Sequence, residues 1–292
     1  DTNATATESV LVYSGDLSLP NGIFEVGGDF RNIGGTVTHN TSILDLTSTT
    51  TALLLASSSD LYSVTFSGGA TSTMEDNSLT LIGDLTISDG FVTLASGTLS
   101  VGGSLGASGG TFDNATGTIL FNSADTGETV DPGNSDFYNV QFSAPTGGYT
   151  FTADATTTNN FVIASISSFT VQSGAVLAVN GVFMNSVGGS ATTWSGSTLF
   201  LDGSNAYSIN AKSDNGDQYD SLLLGQNSDL RIWNSAATTT TIDPTSSLYS
   251  QDHGNVNGAL YIYGDFHIGT TTEYWSYATD FDGTDISGGS ER

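Results

Sequence analysis

The residues best suited to chemistry are three aspartates near the end of the chain. Asp280, Asp282 and Asp285 form the pattern D-x-D-G-x-D. Hard carboxylate oxygens at alternate positions around a glycine turn suit Ca²⁺. The full spacing and the closing glutamate of an EF-hand are missing, so a solvated acidic turn is the competing interpretation. We therefore expect no cofactor other than Ca²⁺ at these three residues.

No other combination of residues forms a recognisable catalytic motif, and we predict that the chain is not an enzyme. The histidines have neither metal-ligand spacing nor the order of a Ser-His-Asp triad; they are His39, His253 and His267. A polysaccharide lyase usually needs a basic residue and cationic clamps, and the chain has only 4 basic residues. An inverting glycoside hydrolase needs two carboxylates about 6.5–9.5 Å apart. The 30 acidic residues therefore leave a polysaccharide-active enzyme as the third functional interpretation.

Aromatic and asparagine side chains suggest two further kinds of site. The tryptophans could form a strip on which sugar rings stack, although aromatic residues at alternating strand positions more often belong to a core; they are Trp194, Trp233 and Trp275. The N-x-Ser/Thr pattern of N-glycosylation occurs at Asn3, Asn40 and Asn114. Because asparagine is frequent in this chain, chance accounts for most such matches.

The charge of the chain limits its partners. A formal net charge of −26 argues against nucleic acid, whose binding depends on Lys and Arg, and against anionic membrane surfaces. Divalent cations or a positively charged partner fit better, and the simplest interpretation is that the charge keeps a repetitive β protein soluble. The chain has no cysteine, and no run approaches the roughly 18 apolar residues of a membrane span. Neither disulfides nor a membrane span is expected.

The elements that must position these residues are short strands. Hydrophobic residues make up 37% of the chain and charged residues 12%, which suits a thin core lined by one face of many strands. Runs such as Phe91–Leu94, Leu99–Val101 and Ile119–Phe121 alternate apolar and polar residues, the pattern typical of strands. Gly-Gly, Asn-Gly and Asp-Gly pairs supply tight corners. Helical spacing is absent, so we predict an all-β fold without significant helix.

A long internal repeat indicates how these strands are arranged. Val26, Val101, Val179 and Ile262 open similar segments, 75, 78 and 83 residues apart. This period does not match a propeller blade of about 40–50 residues, but about three coils of roughly 25 residues would match it. The sequence therefore predicts an elongated parallel β-solenoid (β-helix) of three to four long repeats, with equivalent residues stacked in ladders.

The same pattern divides the chain into regions. We expect an N-terminal arm at 1–8, the solenoid at 9–275 and an acidic C-terminal segment at 276–292. The repeats are placed at about 26–100, 101–178, 179–261 and, in part, 262–275. The first residue is Asp1 and not Met, which fits a processed form or an internal fragment.

Three segments share a tyrosine pattern at the start of a strand: DLYSVTF from Asp60, DFYNVQF from Asp136 and DQYDSLL from Asp217. They resemble the "YYNLTI"-type motif of repetitive β-helical surface proteins of bacteria. Leu177–Asn185 and Gly117–Asn122 resemble the L-x-V-x-G-x-F-x-N-x-G and G-T-x-x-F-x-G patterns that accompany it. The resemblance covers residues 9–275. It implies an extracellular or cell-surface protein with an adhesin-like or structural role.

The ends of such a solenoid suggest a function. An uncovered last coil has unpaired strand edges, and no helical cap is visible in the sequence. We expect a structural subunit of an extracellular filament or surface array, stacked head to tail with the arm adding a strand to its neighbour. The alternative is a glycan- or host-binding stalk segment of a larger adhesin. The residues expected at the contact are Thr2, Ala4, Val10, Val12, Tyr274, Trp275, Tyr277 and Phe281.

Overall fold

The computed structural model describes residues 3–187, 191–193 and 197–202, together with seven short strands further along the chain. Side chains are described for the first two ranges and for residues 197–199. These described residues form strands and turns without an α-helix, which confirms the predicted all-β class. The chain divides into two compact units, residues 1–140 and 141–292, and each is described by itself.

The first unit is a parallel β-solenoid, as predicted, in which most coils contribute three short strands. Its strands are β1 (Ala4–Ala6), β2 (Val10–Val12), β3 (Asp16–Ser18), β4 (Ile23–Val26), β5 (Phe30–Asn32), β6 (Thr36–Thr38), β7 (Ile43–Leu46), β8 (Thr51–Leu55), β9 (Ser63–Phe66), β10 (Thr71–Met74), β11 (Leu79–Leu81), β12 (Leu85–Ile87), β13 (Phe91–Thr93), β14 (Thr98–Val101), β15 (Leu105–Gly106), β16 (Thr111–Asp113), β17 (Thr118–Phe121) and β18 (Glu128–Asp131). Strands of successive coils pair into three stacks. The first stack is β1-β4-β7-β9-β12-β15-β18, the second is β2-β5-β8-β10-β13-β16, and the third contains β3-β6 and β11-β14-β17.

Neighbouring coils lie in register about 20 residues apart along the chain. In the first stack, Ala6 pairs with Val26, Val26 with Leu46, and Leu46 with Phe66. The expected coil of roughly 25 residues is therefore wrong for this unit. The described strands of the chain form about ten coils, in place of three to four long repeats.

The long repeat in the sequence does not correspond to residues that stack. Val26 lies in the first stack, whereas Val101 lies in the third stack between Leu81 and Phe121. Each corner of a coil is built from the same unit, a short strand followed by a tight turn. Segments from different corners therefore resemble one another in sequence, while the residues that contact each other are one coil apart.

Alternation of apolar and polar residues fixes the inward side of each strand. Phe30, Leu54 and Met74 follow one another inside the second stack and are at most 3% exposed. Burying one such side chain contributes roughly 1.5–3 kcal/mol, and a slip of one residue would turn the whole set outward. At the corners, Gly90 adopts a φ of 79°, which glycine tolerates without steric cost.

Part of the predicted N-terminal arm belongs to the first coil. β1 pairs in parallel with β4 of the same chain, with Ala4 opposite Phe24. Asn3 joins this contact, because its Oδ1 accepts a hydrogen bond from the N–H of Ile23 at 2.9 Å. Ala4–Ala6, which lie within the expected arm at residues 1–8, therefore pair with the second coil of their own chain.

The second unit has longer strands. They are β19 (Asn139–Phe151), β20 (Ala155–Thr157), β21 (Phe161–Val171), β22 (Val176–Val179), β23 (Phe183–Asn185), β24 (Thr192–Thr193), β25 (Thr198–Asp202), β26 (Ser208–Ile209), β27 (Leu223–Leu224), β28 (Asp229–Trp233), β29 (Thr240–Ile242), β30 (Tyr249–Ser250), β31 (Leu260–Tyr263) and β32 (Phe266–Ile268). Its strands include the parallel stacks β20-β22-β25-β28-β31 and β26-β29-β32.

An aromatic cluster fills the described core of the second unit. Phe142 lies 5.3 Å from Tyr149 and 5.3 Å from Phe169 between ring centroids, both in edge-on geometry. Phe161 stacks on Phe183 at 5.9 Å. All five rings are at most 1% exposed. The aromatic residues described in this unit therefore form core, whereas the side chains of Trp194, Trp233 and Trp275 lie outside the described residues.

Candidate functional site

The first coil leaves the apolar side of its strands open. Val10 is only half-buried, whereas Phe30, its partner on the second coil, is 0% exposed. Ala4 at the start of β1 is also half-buried, whereas Val12 at the end of β2 is buried. These three residues were predicted to lie at a contact. Within the described residues, the core of the first unit is therefore uncovered at this coil.

β2 also presents backbone groups that its own neighbour does not use. The N–H of Val10 donates to the carbonyl of Asp29 at 2.7 Å, and the carbonyl of Val12 accepts from the N–H of Ile33 at 2.8 Å. Along a strand, the backbone groups of successive residues point to alternate sides. The N–H and C=O of Leu11 therefore point away from the second coil, where the described residues provide no partner.

β1 repeats this arrangement. The carbonyl of Ala6 accepts from the N–H of Gly27 at 2.8 Å, so the N–H and C=O of Thr5 point away from the second coil. β1 and β2 are the end strands of their stacks within the described residues. Edges with unused donors and acceptors accept a further strand.

An ion pair ties together the coils beside this edge. Arg31, on the second coil, has its Nε 2.7 Å from Oε2 of Glu75 on the fourth, and its Nη2 donates to Oε1 of Glu75 at 3.3 Å. Leu55, the register partner of Arg31, lies on the coil between them. Arg31 is the only basic residue whose side chain is described, so the described surface has no unpaired cation for an anionic ligand.

A buried polar cluster marks the third coil. Asn32 is 0% and Asp76 is 6% exposed. Nδ2 of Asn32 donates to the carbonyl of Ala56 at 3.2 Å, and Oδ2 of Asp76 accepts from the N–H of Ala56 at 2.7 Å. Burial raises the pKa of Asp76, backbone hydrogen bonds from Ala56 and Ser57 oppose this, and the charge of Glu75 adds to the increase. Because these side chains hold the backbone of an irregular coil, their role is structural.

The described histidine does not assemble a catalytic group. His39 stacks on Tyr62 with ring centroids 6.1 Å apart and an interplanar angle of 27°. Its Nδ1 contacts the carbonyl of Asn40. No carboxylate or serine hydroxyl bonds to His39 within the described residues, so the arrangement gives no support for acid–base chemistry.

The predicted calcium ligands Asp280, Asp282 and Asp285 lie outside the described residues. Among the described residues, no group of three His, Asp or Glu side chains could hold a metal ion. The predicted residues that lie outside the described part of the chain are Thr2, Tyr274, Trp275, Tyr277, Asp280, Phe281, Asp282 and Asp285. The calcium site and the second half of the expected contact therefore stay predictions.

Comparisons of the chain with protein families, curated proteins and solved structures find no match. In the part of the chain that the structure describes, no helix has the length and apolar character needed to cross a membrane. The function is therefore inferred from the geometry alone. The most distinctive feature of the described structure is the first coil, where half-buried apolar side chains lie beside backbone groups that have no partner among the described residues.

Proposed function

We propose that the chain is a structural subunit of an extracellular filament or cell-surface array, in which copies stack head to tail. The observation that carries this proposal is the difference between Val10 and Phe30. The two are register partners, but only the residue with a coil on both sides is fully buried. A coil from a second copy, placed on β1 and β2, would bury the open apolar side chains and pair the free backbone groups.

The direction of the strands supports a second copy as the occupant. β31 and β32 are the last described strands of their stacks, and each pairs in parallel with a preceding strand. Their outer edges have no partner among the described residues. A parallel edge of this kind suits β1 and β2 of another copy running in the same direction. Such a contact joins two different surfaces and does not close on itself, so it produces a fibre.

The test is a concentration series of the 292-residue chain, followed by sedimentation velocity and electron microscopy. We expect single-file polymers that lengthen with concentration. Because each copy has a formal net charge of −26, assembly should be favoured at higher ionic strength, where the repulsion between copies is screened. A chain that stays monomeric at every concentration and salt level would contradict the proposal.

A matched pair of variants tests whether assembly depends on the free edge of β2. Leu11→Pro removes an N–H that points away from the second coil, and proline is tolerated on edge strands, so the coil should fold while assembly is lost. Leu11→Ala keeps the N–H and should assemble. Equal assembly of the two variants would show that polymers form through another surface.

A further inference from the structure

We propose that Asn3 is the acceptor of an N-linked glycan, and that it is the sequon which the folded chain offers in preference to Asn40 and Asn114. All three lie in N-x-Ser/Thr sequences. The pattern alone does not distinguish them. Their places in the solenoid do, because a transferase must reach the side-chain nitrogen Nδ2 and draw the surrounding backbone into its own cleft.

Asn114 is buried inside the solenoid. It is 2% exposed. Its Nδ2 donates to the carbonyl of Gly117 at 3.3 Å, and its Oδ1 accepts from the N–H of Tyr138 at 2.7 Å. Both ends of the carboxamide therefore hold backbone of this coil and the next, and a glycan on this buried Nδ2 would compete with its bond to Gly117.

Asn40 is also engaged through its nitrogen. Its Nδ2 donates to Oγ of Ser18 at 3.1 Å and to the carbonyl of Leu19. Its backbone has a φ of 49°, a left-handed conformation fixed by the corner between two coils. A transferase would have to break these contacts and unwind a corner that has coils on both sides.

Asn3 differs from both in its exposure and in the side-chain atom that it uses for bonding. Its side chain is exposed, and its Oδ1, not its nitrogen, makes the bond to the N–H of Ile23. An N-linked glycan leaves that oxygen free to keep the bond. The following strand, β1, has three residues and pairs on one side only, so its local opening costs less than opening an internal coil.

The residue two positions earlier distinguishes the sequons again. This residue is Asp1 before Asn3, Thr38 before Asn40 and Phe112 before Asn114. A carboxylate at this position can pair with an arginine of a transferase, since Arg–carboxylate contacts are strong and geometrically specific. A transferase that reads an acidic residue would select this sequon alone.

The donor is a polyprenyl-pyrophosphate-linked oligosaccharide. The Nδ2 of Asn3 forms a bond with the anomeric carbon of the first sugar, and the bond from that carbon to the pyrophosphate oxygen breaks. Lipid pyrophosphate leaves, and Nδ2 loses one proton to a base of the transferase. No oxidant or reductant is required.

A glycan at this position has a consequence that rests on the proposed function. Asn3 immediately precedes β1, at the open coil on which a second copy would stack. A bulky, hydrated glycan there would occupy the space that the added coil needs. The modified chain is therefore expected to be unable to receive a neighbour on this coil, so that it occupies the first position of a polymer.

The test treats the folded chain with a single-subunit oligosaccharyltransferase and the lipid-linked oligosaccharide, followed by peptide mapping by mass spectrometry. Synthetic peptides containing each sequon establish which the enzyme accepts without a fold. We expect the glycan on Asn3 and not on Asn40 or Asn114 in the folded chain. Thr5→Ala should abolish it, and Thr7→Ala should not.

Two results would overturn the proposal: an unmodified Asn3 in the folded chain when its peptide is modified, or equal modification of Asn40 or Asn114 in the folded chain. The mass measurement does not depend on assembly, so it stands if polymers never form. Where polymers do form, adding glycosylated chains to unmodified chains should shorten the polymers.

Discussion

Val10 lies directly over Phe30 in the parallel register of the second stack, yet Phe30 is 0% exposed and Val10 is half-buried. Phe30 pairs with Val10 on one side and with Leu54 on the other, whereas Val10 has only Phe30 as a partner among the described residues. A side chain of this size gains roughly 1.5–3 kcal/mol on complete burial. In the proposed assembly, covering Val10 with another coil would contribute part of this free energy.

A charge placed at this opening should prevent assembly. Val10→Asp puts a carboxylate where an added coil would have to bury it, and an unpaired buried charge is strongly unfavourable. We expect a folded monomer at concentrations where the original chain polymerises, measured by sedimentation velocity. Ser100→Asp, which adds the same charge to an outward position of β14, should polymerise normally. Loss of assembly in both variants would point to a general charge effect.

The ion pair between the second and fourth coils should contribute modestly to stability. Both side chains are about one-third exposed, and exposed pairs contribute about 0.2–1 kcal/mol. A double-mutant cycle with Arg31→Met and Glu75→Gln, measured by urea unfolding, should give a coupling energy of this size that decreases in 1 M salt. A coupling energy of zero at low salt would contradict a stabilising role for the pair.

Asp76 should make the stability of the first unit depend on pH. Burial raises its pKa in the folded chain, so its stabilising contribution is complete below the unfolded value of about 3.9 and is lost as pH rises through the raised value. Asp76→Asn does not titrate. We therefore expect the variant to gain stability relative to the original chain between pH 4 and pH 7, by thermal unfolding.

The matched control for that series is Asp45→Asn, at an outward position of the first stack whose carboxylate accepts a hydrogen bond from Ser67. This variant removes the same charge from an outward position, so it separates the effect of burial at Asp76 from that of net charge. A relative stability of Asp76→Asn that is independent of pH, or that falls as pH rises, would contradict the assignment.

Close contact between coils should make one corner glycine irreplaceable. A Cβ on Gly68 would overlap the backbone of Thr47 and Ser48, whereas a Cβ on Gly106 meets nothing within 4 Å. Forcing atoms into a packed site costs about 1–3 kcal/mol. Gly68→Ala should lower the free energy of unfolding by this amount, and Gly106→Ala should change it little. Similar losses in both variants would show that the coils are not in this register.

The sequence was sufficient to predict that the elements are β-strands and to predict which side of many strands faces the core. Leu99 and Ile119, both in predicted strands, are at most 1% exposed. Alternation carries this information locally, so it does not depend on knowing the fold. The predicted coil length was wrong, because corners share a strand-and-turn pattern and the landmark residues Val26 and Val101 belong to different stacks.

The contacts of the third coil were missed for a related reason. Asp76 follows Met74 by two residues and so shares its inward side, a signal that the charge of aspartate obscured. Its partner Ala56 precedes it by one full coil. Arg31 and Glu75 are 44 residues apart, and they meet only because β5 and β8 are offset by more than the usual coil length. Such pairs become visible once the register is known.

The most direct test of the central claim is hydrogen exchange of the Thr5 and Leu11 amides, measured residue by residue in the monomer and in the assembled state. The account predicts that both amides exchange rapidly in the monomer and become protected on assembly, whereas the amide of Val10, already bonded to Asp29, is protected in both. Assembly that leaves Thr5 and Leu11 unprotected would contradict it.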